Sequence, residues 1–143
     1  MRNKANKFVV LTLSLALFIG LAFAAEDVDN SKPKIIITNA NFKATSPEKE
    51  DLNEEWVEIA NQGSTAQSLQ GWTLSDKDNH TYAFKSFSLQ PGASVKVHTG
   101  IGIDSDLDIF WNMKVSIRNN DGDTATLKDD LGNVAAKYPE ETA

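Results

Sequence analysis

Apolar residues recur at every second position in short runs from Pro33 to Tyr138, and no stretch repeats them every 3.6 residues. Glu54–Ala60 (EEWVEIA) sets the pattern. Val57 and Ile59 fall on one face, Trp56 and Glu58 on the other. A period of two is the signature of a half-buried strand. Ser94–Thr99 (SVKVHT) repeats it, with Val95 and Val97 inward and Lys96 and His98 outward. Thr124–Lys128 sends Ala125 and Leu127 inward, and His80–Phe84 pairs Tyr82 with Phe84. Lys34–Phe42 contains three consecutive isoleucines, whose branching at Cβ favours strand over helix. Ser68–Ser75 (SLQGWTLS) reads as one strand with Trp72 and Leu74 on a shared face, and Gly71 marks a bulge or a close backbone approach. Val115–Ile117 and Val134–Tyr138 complete the set.

Turn signals separate these runs. In Asn61-Gln62-Gly63 the Asn and Gly tolerate positive φ. Asp76–Asn79, the Pro91-Gly92 pair, Asn119–Asp123 and Asp129–Asn133 do the same work elsewhere. Lys43–Asn53, with Pro47, is a long exposed loop. A second loop opens at Gly100 and Gly102, carries Asp104, Asp106 and Asp108, and ends in Ile109-Phe110-Trp111. About seven to nine short strands between regular turns predict an all-β fold, an antiparallel β-sandwich of two sheets.

The 143 residues leave room for about one domain. Residues 1–24 stand apart from it. Arg2, Lys4 and Lys7 precede an almost unbroken apolar run, Phe8 to Ala25, which closes on the small-x-small site Ala22-Phe23-Ala24. That layout predicts a signal peptide cleaved after Ala24. The alternative is retention of the run as an anchor, since its length approaches that of a membrane span. Residues 25–32 then form a flexible tail, 33–139 the sandwich, and 140–143 an acidic tail. The leader holds three of the 14 basic residues and none of the 20 acidic ones, so the remainder carries a formal net charge of −9. Such a surface disfavours nucleic acid and anionic lipid. Without cysteine, the sandwich must rest on core packing alone.

Three segments together resemble the lamin tail domain family. They are EEWVEIANQGSTAQSLQGWTLSD, then TYAF followed by LQPGASVKVHTGIG, then NNDGDTATLKDDLGNVAAKYP. Their order and spacing match the family's elements across roughly Pro33 to Tyr138. Two positions depart from it: Lys85 stands where many relatives have proline, and Ile117-Arg118 where many have tryptophan before the Asn pair. The resemblance implies an immunoglobulin-like sandwich and a non-catalytic module without a cofactor, here a stand-alone, exported version. Its partner would be a protein or a cell-surface component.

Catalytic chemistry finds little support. The two histidines, His80 and His98, read as ordinary surface residues, and no serine is placed for a triad. Asp104, Asp106 and Asp108 are the candidate calcium ligands, because alternating carboxylates in strand geometry share a face and calcium takes oxygen ligands from flexible loops. Asp121 with Asp123 and Asp76 with Asp78 are lesser clusters, and none has EF-hand spacing. Trp56 and Trp111 are candidates for a partner or sugar-stacking surface, against the alternative that they cover a sheet end or fill the core. Asn79-His80-Thr81 is a possible N-glycan acceptor in a turn. The expected function is a secreted or cell-surface binding module, with a carbohydrate- or calcium-dependent ligand-binding domain as the alternative.

Overall fold

The computed structural model describes residues 33–43, 52–117 and 122–139. The expected leader, both tails, most of the Pro47 loop and the Asn119-Asn120-Asp121 part of the hairpin turn lie outside them.

Ten strands are present among the described residues: β1 (Ile35–Asn41), β2 (Trp56–Asn61), β3 (Gln67–Ser68), β4 (Thr73–Ser75), β5 (Thr81–Ala83), β6 (Ser88–Leu89), β7 (Ser94–His98), β8 (Asp108–Phe110), β9 (Ala125–Lys128) and β10 (Val134–Tyr138). One turn of 3-10 helix, Leu52–Glu54, leads into β2. The first sheet has the order β1-β2-β7-β8, the second β10-β9-β4-β5, and β3 and β6 form a two-stranded ribbon. This is the two-sheet β-sandwich that the alternation predicts, and it is of the immunoglobulin-like kind that the family resemblance implies.

The alternation decides which side chains enter the core. Val57, Ile59, Val95 and Val97 are buried from the first sheet, and Leu74, Ala125 and Leu127 from the second. Leu69, Trp72, Phe84 and Leu89 fill the space between them. Each fully buried aliphatic side chain contributes about 1.5–3 kcal/mol, so these positions carry the fold without a disulfide.

Four local expectations are corrected. SLQGWTLS is not one strand. Gly71 has φ +82° and Trp72 N donates to Leu69 O at 2.9 Å, so a tight turn separates β3 from β4. Val115–Ile117 forms no strand; Ile117 is buried, but the backbone bends there. Asp108–Phe110, expected in a loop, is a strand, and it pairs with β7 in parallel, whereas every other ladder is antiparallel. Asn61 turns the chain without positive φ. Its side chain accepts from Gly63 N at 3.0 Å and donates to Thr65 O at 2.8 Å and Leu89 O at 3.0 Å.

Candidate binding surfaces

Strand register places Asn41, Trp56, His98 and Phe110 in one row across the outer face of the first sheet. Trp56 is half-buried there, and Lys96 Nζ lies 4.2 Å from its ring centroid. A recess of about 490 Å³ opens beside it, lined by Asn41, Lys43, Glu54 and Trp56. Trp56 is therefore an outer-face residue, as its phase opposite Val57 and Ile59 predicts.

His98 is not an ordinary surface histidine. Its side chain is 13% exposed. Nδ1 lies 2.7 Å from Asn53 O and Nε2 lies 2.8 Å from Asp108 Oδ1. A carbonyl and a carboxylate both accept, so the ring holds both contacts only when both nitrogens carry hydrogen. Phe110 stacks on the ring at 5.0 Å and 16°. His98 thus joins the 3-10 turn, β7 and β8. His80 is more open, at 46% exposed, and its Nδ1 meets Asp76 Oδ2 at 2.6 Å.

The three aspartates of the 100–108 loop do separate jobs. Asp104 Oδ1 accepts from Phe110 N at 2.8 Å. Asp108 holds His98. Asp106 is exposed. Among the described residues no three His, Asp or Glu side chains gather as a metal site. Asp76 and Asp123, from the two lesser acidic pairs, serve turns. Asp76 Oδ1 accepts from Asp78 N at 2.9 Å and His80 N at 2.8 Å, and Asp123 Oδ1 accepts from Thr124 N at 2.7 Å. Asn79 is exposed with φ +66° in the same β4–β5 turn.

Trp111 packs across the sandwich rather than outward. It is half-buried and meets Tyr82 edge-on at 5.8 Å. Burial pushes the Tyr82 phenol above its ordinary value of 10.0, and the Asp104 charge adds to the rise.

Two features fall outside the candidate residues named from the sequence. Glu55 is fully buried, in phase with Val57 and Ile59, and Ser116 Oγ donates to its Oε1 at 2.5 Å. The alternation of EEWVEI already put it on the inner face, and that signal was readable. The second is a groove of about 520 Å³ where β1 and β10, the end strands of their sheets, come together without ladder hydrogen bonds. Ile36 and Ala136 lie in its lining, with Lys34 and Lys137. Its residues are about 100 positions apart in the chain, and no local pattern joins them.

The Lamin Tail Domain family model matches residues 29–141, well over half of the chain. No curated protein matches the sequence.

Proposed function

The chain belongs to the lamin tail domain family, a family of non-enzymatic, immunoglobulin-like domains, and we propose that it works outside the cell as a secreted or surface-displayed interaction module. The observation that carries this reading is the seam between β1 and β10. Two sheet-end strands lie side by side without sharing a ladder, over a groove that is part aliphatic and part cationic. Unpaired strand edges bind extended segments through their main chain, and pockets between alternate side chains select among them. Among the described residues no helix is long and apolar enough to cross a membrane. The basic-apolar leader supports export, and the partner is a protein or another component of the cell surface.

Two measurements test this. Protease treatment of intact producing cells, with fractionation of the medium, should find the full chain outside the cytosol. Fluorescently labelled protein should bind those cells, and Lys34→Glu with Lys137→Glu should abolish the binding. A cytosolic chain, or binding indifferent to the groove, sinks the reading. Export into a compartment that glycosylates would make Asn79 the acceptor, read as a mass increment lost in Asn79→Gln.

A second reading, carbohydrate binding, rests on the recess beside Trp56. An indole face next to amide, carboxylate and ammonium groups suits a sugar ring. Glycan-array binding lost on Trp56→Ala would support it, and a silent array would remove it. The calcium-dependent form of this reading has only the sequence pattern behind it.

A further inference from the structure

Residues 101–105 run along the outer side of β8. Gly102 lies against Phe110, where an added Cβ would come within 2.4 Å of the ring, and Asp104 accepts from Phe110 N. The residues in the alternate phase are Ile101 and Ile103, and they are 59% and 91% exposed; Leu107, where the segment enters β8, is 69% exposed. The usual order is inverted here: the small and polar residues face the protein and the aliphatic ones face water. Three large aliphatic side chains exposed within seven residues are a surface suited to being covered.

We propose that this edge docks head to tail into the β1–β10 groove of a second copy of the chain. The inference rests on the interaction-module reading and names its partner. Charge selects the occupant. The aliphatic edge is flanked by Asp104 and Asp106, and the groove carries Lys34 and Lys137 beside Ile36 and Ala136. Opposite charge around an apolar contact fixes register and suppresses wrong partners. A two-fold pairing of edge against edge would instead bring two sets of aspartates together, on a chain that is already acidic. The edge and the groove lie at opposite ends of the β1-β2-β7-β8 sheet, so one docking event leaves a free edge and a free groove. Such a heterologous contact grows into an open chain of subunits rather than a closed dimer.

The test uses the full chain, expressed with its leader and purified from exporting cells. Sedimentation and light scattering up to about 1 mM, the weak end of specific association, should show mass rising with concentration past that of a dimer. Ile103→Asp removes the edge, and Lys34→Glu with Lys137→Glu removes the groove. All three positions are exposed, thermal melts check that each variant is folded, and each folded variant alone should be monomeric. Mixed in equal amounts, the two variants should form a one-to-one heterodimer and stop, because only one intact edge and one intact groove meet. Adding Asp106→Lys to the groove variant should restore growth. A wild type that stays monomeric, a mass that plateaus at the dimer, association that survives both variants, or a mixture that forms nothing overturns the proposal. A monomeric wild type that still binds cells through the groove defeats this inference alone, while loss of cell binding defeats the broader reading.

Discussion

The two edges of the first sheet are finished in opposite ways. At β8 the outward backbone groups meet groups of their own loop: Phe110 N donates to Asp104 Oδ1, Asp108 N to Ser105 Oγ at 3.0 Å, and Ser105 N to Asp108 O at 2.7 Å. At β1 the contact of this kind comes from the strand itself, where Ala40 N donates to Asn39 Oδ1 at 2.9 Å, and not from a loop folded along the edge. The strand lies beside β10 with a groove between them, and Tyr138 Oη reaches Asn39 Oδ1 at 3.4 Å. An exposed edge invites pairing with another chain, and capping it with side chains is one way to prevent that. The contrast directs main-chain recognition to the β1–β10 seam and leaves the β8 side to contact partners through side chains.

The capped edge should be the easier of the two to break. Gly102→Ala gives the largest effect, because a Cβ there would sit 2.4–2.5 Å from three atoms of the Phe110 ring. That ring is stacked on His98 and cannot simply swing away. Overpacking of this kind costs roughly 1–3 kcal/mol, measured as a shift in the denaturation midpoint. An unshifted midpoint would mean that the loop is not seated on β8. His98→Ala follows. It removes two ring hydrogen bonds and an aromatic stack, but Asp108 is 44% exposed and regains water. The expected loss is about 1.5–2 kcal/mol. Substitutions at Ile36 or Ala136 in the open seam should cost less than either, and the opposite ranking would show that the seam is the more tightly built edge.

Much of this contrast is hidden from the sequence for a physical reason. β2 and β7 are legible because each has one face in the core and one outside, and the period of two follows from that burial. β8 is three residues long, and its place depends on Gly102 meeting Phe110 and on Asp104 reaching a backbone amide six positions later. Alternating aspartates look like a metal loop when read alone, yet one caps an amide and another orients a histidine. His98 was legible as an outer-face residue, while Asn53 and Asp108, which surround it, come from 45 and 10 positions away. The groove needs β1 and β10 together, from opposite ends of the domain. Glu55 is the instructive exception, since its inward phase could be read directly from EEWVEI.

Asp104 allows the capped side to be measured by titration. Asp104→Asn weakens the cap on Phe110 N, with an expected loss of about 1 kcal/mol or less at this exposed site. It also removes the charge that adds to the rise at Tyr82. The phenol should then titrate at a lower pH in ultraviolet absorbance, while staying above 10.0 because burial is the larger cause. The sign is fixed by linkage. The raised folded value favours the neutral phenol, so this stabilisation is complete below pH 10.0 and disappears as pH rises through the folded value. Titration unchanged by Asp104→Asn would mean that the carboxylate is not near the β5 edge.

The open side has a counterpart with the opposite sign and the smallest effect. Asp129 opens the β9–β10 turn, and its carboxylate is held below the ordinary 3.8, first by the Asn133 side-chain amide and then by the backbone amides of the turn. Asn133 Nδ2 donates to Oδ2 at 3.0 Å, while Leu131 N and Asn133 N donate to Oδ1 at 3.0 and 2.7 Å. A lowered value favours the charged form in the folded chain, so the contribution is present above pH 3.8 and fades as pH falls through the folded value. Asn133→Ala removes the largest of these influences and keeps the backbone amides. The Asp129 carboxylate, followed by NMR, should move up toward 3.8 without reaching it, and the melting temperature at neutral pH should barely change, because the group is exposed to solvent. If the melting temperature instead fell as far as in Gly102→Ala, the β10 edge would depend on its turn as strongly as β8 depends on its loop, and the two edges would not differ in the way their hydrogen bonds imply.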